Sequence, residues 1–186
     1  MSGAMFEVLA DVEVVLRNAI HRQMTRWSLA NGFSENWFLN EHGLLDARAE
    51  QDISRARQRL LIAGQVDSVE GLVGELNFGF WRFLLSNRYR SSLWAVSIRY
   101  AFPRSPERLA ESLHRRVGRL HRLRNLIAHH QPIHSRRFDL DMRDSFMTLR
   151  SVSPQLARWV QRRSRVEALL ELRPEKSVGP GRMPKQ

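Results

Sequence analysis

Residues 105–132 read SPERLAESLHRRVGRLHRLRNLIAHHQP, and their periodicity decides the class of fold. Leu109, Leu113, Val117, Leu120, Leu123 and Ile127 recur in steps of three and four, the spacing of one buried helical stripe. Ser105-Pro106-Glu107 is a start signal: a serine N-cap, proline at the first helical position and an acid in the first turn. Pro132 disfavours the α conformation of its predecessor, which puts the helix end at His130 or Gln131, about seven turns on.

The same period runs outward in both directions. Leu9, Val12, Leu16, Ile20 and Met24 predict a first helix from Phe6 to about Trp27. Residues 28–45, with Gly32, Trp37, Phe38 and Gly43, read as an irregular loop with buried aromatic anchors. Asp46 caps a helix to about Ile62, closed by Gly64. Asp67 and Glu70 have the spacing of a capping box, and the apolar run Leu72 to Leu85 predicts one long buried helix. Its Gly71, Gly74 and Gly79 imply a close helix approach or a kink, and Asn77 reads as a satisfied core amide.

Ser91 to Phe102 predicts a further short helix, and Asp139 to Arg150 another with Leu140, Phe146 and Leu149 inward. Ser153-Pro154 caps a last one to about Leu172, carrying Leu156, Val160, Val166, Leu169 and Leu170. No segment has the period of a strand, so the expected fold is an all-α bundle occupying residues 1–172. Residues 173–186 are rich in proline and glycine and are expected to be a disordered basic tail.

Composition narrows the chemistry. The 186 residues include 42% hydrophobic side chains, enough for a core without disulfides or metals. The lack of cysteine excludes a thiol nucleophile or a thiolate zinc site. The N-terminus lacks a basic region followed by an apolar one, and no apolar run is long enough to cross a bilayer, so a cytoplasmic protein without membrane contact is expected. The net charge is +11 at pH 7 and the pI about 11.4, which favours a polyanionic partner. Lysine occurs only at Lys176 and Lys185. Arginine therefore carries the charge, and its planar fork holds phosphate bidentately.

Polar chemistry concentrates around Arg124-Asn125, three residues, then His129. His121, Asn125 and His129 follow at i, i+4 and i+8 on one stripe, and Arg124 lies on the adjacent flank. Asn125 is placed to orient the His129 ring. The negative end of the helix dipole favours a cationic imidazole there, while Arg122, Arg124, Arg136 and Arg137 oppose it, which suits a general acid or base. RNA supplies its own 2′-hydroxyl nucleophile, so no metal or cofactor is required. One histidine is too few for both proton transfers, and two copies of the stretch across a homodimer would supply both. Glu13, Arg17 and Asn18 of the first helix are expected either to face this cluster and orient it or to lie on a solvated face.

These residues carry a resemblance. Arg124-Asn125-x3-His129 is similar to the R-polar-x3-H signature of HEPN ribonuclease domains. With Leu16-Arg17-Asn18-Ala19-Ile20 and Asn77-Phe78-Gly79-Phe80-Trp81 in order before it, the chain resembles, over about residues 1–150, the Abi-like (abortive infection, phage-defence) branch of that superfamily. The resemblance implies a HEPN-like helical bundle with additional helices, a homodimer with its motifs at the interface, and a metal-independent RNA endonuclease that leaves a 2′,3′-cyclic phosphate. It makes Arg124 and His129 catalytic, with Asn125 the polar second position. His130 and His134 lie outside that motif and are assigned auxiliary substrate contacts, with Arg122, Arg136 and Arg137; Glu13, Arg17, Asn18 and His121 are assigned support, and an antitoxin or a phage-derived trigger is a further expected partner.

Other readings compete. Arg124 can pair with Glu13 or Asp139 and His129 can hold a helix-end carbonyl, leaving a non-catalytic HEPN-like module that binds RNA or protein. A zinc site from His129, His130 and His134 with Asp139 or Asp141 is disfavoured, because adjacent helical histidines point about 100° apart.

Overall fold

The computed structural model describes residues 1–104 and 109–172; the expected serine cap at Ser105 and the tail from residue 173 lie outside them. Every regular element among the described residues is helical. The spine is α1, Ser2–Ala30, about 43 Å long at the usual rise. Met5, Leu9, Val12, Leu16, Ile20 and Met24 are wholly buried along it. It packs against α4 (Phe78–Phe83), α5 (Leu109–Ala128), α6 (Phe138–Val152) and a 3-10 turn at Ile98–Ala101. The other α-helices are α2 (Ala47–Ile62), α3 (Val69–Glu75), α7 (Pro154–Arg163) and α8 (Val166–Glu171).

Cap chemistry sets several boundaries. Asp46 accepts the Ala49 amide at 2.9 Å, as its position before α2 predicts. The cap of α3 is Ser68, which accepts the Gly71 amide at 3.0 Å, rather than Asp67, which instead faces Arg57 at 3.5 Å. The hydroxyl sits one residue nearer the helix and captures the orphan amide, so no box forms with Glu70.

The long helix expected over Leu72 to Leu85 is two short ones. Leu76 leaves α3 in an extended conformation, and Asn77, far from being a core amide, is exposed and caps α4 by accepting the Phe80 amide at 3.1 Å. The buried Trp81 bridges the break, donating its indole N–H to the Leu76 carbonyl at 3.1 Å. Its ring meets Trp37 edge-on, with centroids 6.3 Å apart, and the aromatics of the irregular loop thus anchor the corner. Asn77→Ala is expected to cost about 1 kcal/mol through loss of the cap. A chemical-denaturation midpoint indistinguishable from wild type would contradict that role.

Four other expectations change. Ser91 to Phe102 is not one helix: a π-helical turn at Arg90–Trp94 and the 3-10 turn at Ile98–Ala101 replace it. The last helix breaks at Ser164-Arg165, between α7 and α8. Leu140 and Leu156 are exposed rather than inward, since α6 and α7 bury other faces. Finally α5 stops at Ala128, earlier than Pro132 would require. His130 takes a left-handed conformation with φ 53°, its amide donates to the Ile127 carbonyl at 3.0 Å, and the Gln131 amide donates to Leu126 at 2.8 Å. This is a Schellman turn with histidine where glycine is usual. At the end of α2 the same turn carries Gly64, φ 67°, with Gln65 donating to Leu60 at 2.9 Å.

Candidate functional site

The three sequence segments meet at one polar seam where α1, α4 and α5 pack together. Glu13 and Arg17 project from α1 between buried neighbours Val12 and Leu16. The Arg124 guanidinium reaches across from α5 to stand 3.7 Å from the Glu13 carboxylate. The amide of Phe78, at the start of α4, also donates to Glu13. Burial nevertheless holds the Glu13 carboxyl above its ordinary value, against the opposing pull of Arg124, Arg17 and that amide. The Nε atoms of both Arg17 and Arg124 are buried and have no hydrogen-bond partner. Arg124 is the cation nearest Glu13 and Arg17 adds a second positive charge close to it, so the seam carries a cationic surplus.

On the next face of α5, the Asn125 amide nitrogen lies 3.3 Å from His121 Nε2. Asn125 thus meets His121 rather than orienting the His129 ring. The His121 ring packs edge-on against Phe78, centroids 5.5 Å apart. Gly79 makes that approach feasible: a Cβ there would lie 2.9 Å from Asn77 Oδ1 and 3.4 Å from His121 Nε2. Burial lowers the His121 pKa, helped by Arg82, Arg124 and Arg122.

His129 terminates the helical hydrogen-bonding of α5, its amide donating to the Asn125 carbonyl at 3.0 Å, and its ring is exposed. No hydrogen bond or ion pair among the described residues joins its side chain to Arg124. Arg124 stands beside Glu13 of α1, and His129 lies exposed at the end of α5. His130 and His134 are exposed near the same end, and Arg122 is exposed on α5. Arg136 and Arg137 are each held by a bidentate carboxylate, Asp141 at 2.6 and 2.9 Å and Asp139 at 2.7 and 2.9 Å. Asn18 lines a shallow groove along α1 with His21, Arg22 and Thr25, not the seam. Among the described residues no three histidines or carboxylates gather as metal ligands, so the zinc arrangement does not assemble.

Arg82 is a member of the seam that the sequence reading did not single out. Its guanidinium lies along α5 where Gly118 leaves room, a Cβ at Gly118 coming within 3.2 Å of Arg82 Nε. Burial, then Arg122 and Arg48, lower its pKa, and it in turn depresses His114 and His121. A lone glycine in the middle of a strongly periodic helix was the available signal.

The depressed histidines give a pH dependence with a definite sign. His21, His42, His114 and His121 all lie below the ordinary value of 6.5, burial being the largest cause in each. Below pH 6.5 the unfolded chain then binds protons that the folded chain refuses, so stability falls with acidification until the lowered folded values are passed. Denaturation midpoints between pH 7.5 and 5.5 should decline, and His121→Gln should flatten the slope. A pH-independent midpoint across that range would contradict the buried neutral rings. No protein-family model, curated protein or solved structure matches the chain.

Proposed function

We propose that the protein is a metal-independent RNA endonuclease of the HEPN type, working in abortive-infection defence against phage with its site shared across a homodimer. The observation that supports this reading is the convergence of the three motif-bearing segments, far apart in sequence, on the seam of Glu13, Arg17, Phe78, Gly79, His121, Arg124 and Asn125. The surplus guanidinium charge there suits an anion, and the exposed His129 ring is available for proton transfer.

In the proposed reaction a base removes the 2′-hydroxyl proton, the oxygen attacks the adjacent phosphorus, and the bond to the 5′-oxygen breaks as an acid protonates that leaving group. A 2′,3′-cyclic phosphate and a 5′-hydroxyl result. His129 of each protomer supplies one proton transfer, and arginine stabilises the charge developing on the phosphoryl oxygens. Two copies are required because one histidine is too few for both proton transfers. An antitoxin or phage product would act as the regulator in this setting.

A second reading has its own observation. Arg124 stands beside Glu13, the pairing expected of a structural arginine in a non-catalytic RNA- or protein-binding module. The test incubates EDTA-treated protein with RNA, analyses the ends formed, and measures mass by sedimentation. Cleavage with cyclic phosphate ends by a dimer supports the ribonuclease. Salt-sensitive RNA binding without cleavage supports the module, and cleavage by a monomer overturns the shared site.

A further inference from the structure

A second basic site lies on another face of α5. Ser112, Arg115, Arg116 and Arg119 of α5, the loop residues Ser135 to Arg137 and the side of α6 bearing Arg143 enclose a cleft of about 700 Å³. By helical geometry these α5 residues stand about 140° around the axis from the stripe of His114, Gly118, His121 and Asn125. The cleft is therefore separate from the seam.

Its charges do not balance. Among the described residues the carboxylates lining it are Asp141 and Asp144. Asp144 is taken by a bidentate fork from Arg119 at 2.6 and 2.9 Å, and Asp141 by one from Arg136 at 2.6 and 2.9 Å. Arg116 is only 5% exposed, yet among the described residues it has no carboxylate within ion-pairing distance. Burial is the largest cause of its lowered pKa; Asp144 pulls the other way, and Arg119 and Arg143 add like charge. Arg143 and Arg115 stand exposed at the rim, the latter only loosely paired with Glu111 at 3.6 Å. A buried guanidinium whose neighbouring carboxylate is already gripped by another arginine costs the fold stability, and an anion bound in the cleft would recover it.

The lining also bears on the ligand. Among the described residues it holds guanidinium and hydroxyl donors with Leu140 and Met147, and no aromatic ring on which a base would stack. We propose that this cleft grips consecutive phosphates of an RNA strand, independently of sequence, through Arg115, Arg116 and Arg143. The loop that closes it, Ser135 to Arg137, follows directly on the exposed His134. The inference rests on RNA being the ligand but not on its being cut.

The test uses a short 2′-O-methyl oligoribonucleotide of mixed sequence, which binds but lacks the attacking hydroxyl. Arg115→Gln with Arg143→Gln removes rim charges that no buried packing depends on. Without these two guanidinium groups on the phosphates, binding should weaken about ten- to thirtyfold near 0.1 M salt and the log–log salt slope should become shallower by about 1.4. Arg158→Gln with Arg162→Gln on α7, an equal charge change elsewhere, should leave binding within about twofold. Equal losses of affinity in both variants, or none in the first, overturn the site. So does saturation of the cleft by tripolyphosphate without displacement of the oligonucleotide, which would assign it to a free polyphosphate. Failure of cleavage alone, with cleft-dependent binding intact, overturns the ribonuclease and leaves this site standing.

Discussion

Alanine at His129 is expected to lower RNA cleavage by about 10² to 10⁴ while leaving the melting temperature and the dimer unchanged. The rate loss follows from removing the group assigned the proton transfers. The intact fold follows from placement, because the ring is exposed and the backbone bond from the His129 amide to Asn125 survives the substitution. Arg124→Ala should also abolish cleavage, but with a stability change as well, since it leaves Glu13 half-buried without its nearest cation. The contrast between the two variants matters more than either alone. Full activity in His129→Ala sinks the ribonuclease assignment, and a His129→Ala protein that melts early assigns the ring a structural part instead.

Trp81→Ala should be the most damaging single substitution for the fold, costing about 3–5 kcal/mol. The side chain is wholly buried, meets Trp37, Phe38 and Phe80 edge-on, and satisfies the carbonyl at the break between α3 and α4. Trp81→Phe separates the two contributions: it keeps much of the aromatic volume but leaves Leu76 without its donor, a cost of about 1–3 kcal/mol. Urea denaturation of the pair measures both. Because Trp81 locates the start of α4, and with it Phe78 and Gly79, the alanine variant should also disturb the seam. Near-wild-type stability in Trp81→Ala would mean that the corner is held by something other than this indole.

The elements whose apolar stripes are long were legible from residues alone. α1, α2, α5 and α6 are found close to the spans that their periodicity predicts. Where an apolar run covered most sides of a helix, periodicity had no face to report, and the break at Leu76-Asn77 was set by an asparagine cap and an indole hydrogen bond from five residues away. The end of α5 was misplaced for a related reason. Proline marks where a helix cannot continue, whereas the left-handed His130 had already stopped it, and histidine does not announce that conformation as glycine does. At the seam, Glu13 and Arg124 were both legible, and their pairing was one of the two that the competing non-catalytic reading offered for Arg124. Asn125 was assigned to the wrong ring because i+4 spacing places it equally near His121 and His129, and only Phe78 and Gly79, from α4, decide between them. Of the basic cleft only Arg136 and Arg137 were singled out, because its members come from both sides of a turn and only tertiary packing sets them together.

The position of Glu13 and Arg17 on the spine has one more implication, which concerns control. Their neighbours Val12 and Leu16 are wholly buried in the centre of α1, so these two residues cannot be displaced without unpacking the middle of the molecule. His129 sits at a helix end with its side chain exposed, where covering the surface leaves the core packing intact. A regulator of this protein is thus expected to work by occlusion or by changing association, on a timescale set by binding and release rather than by refolding.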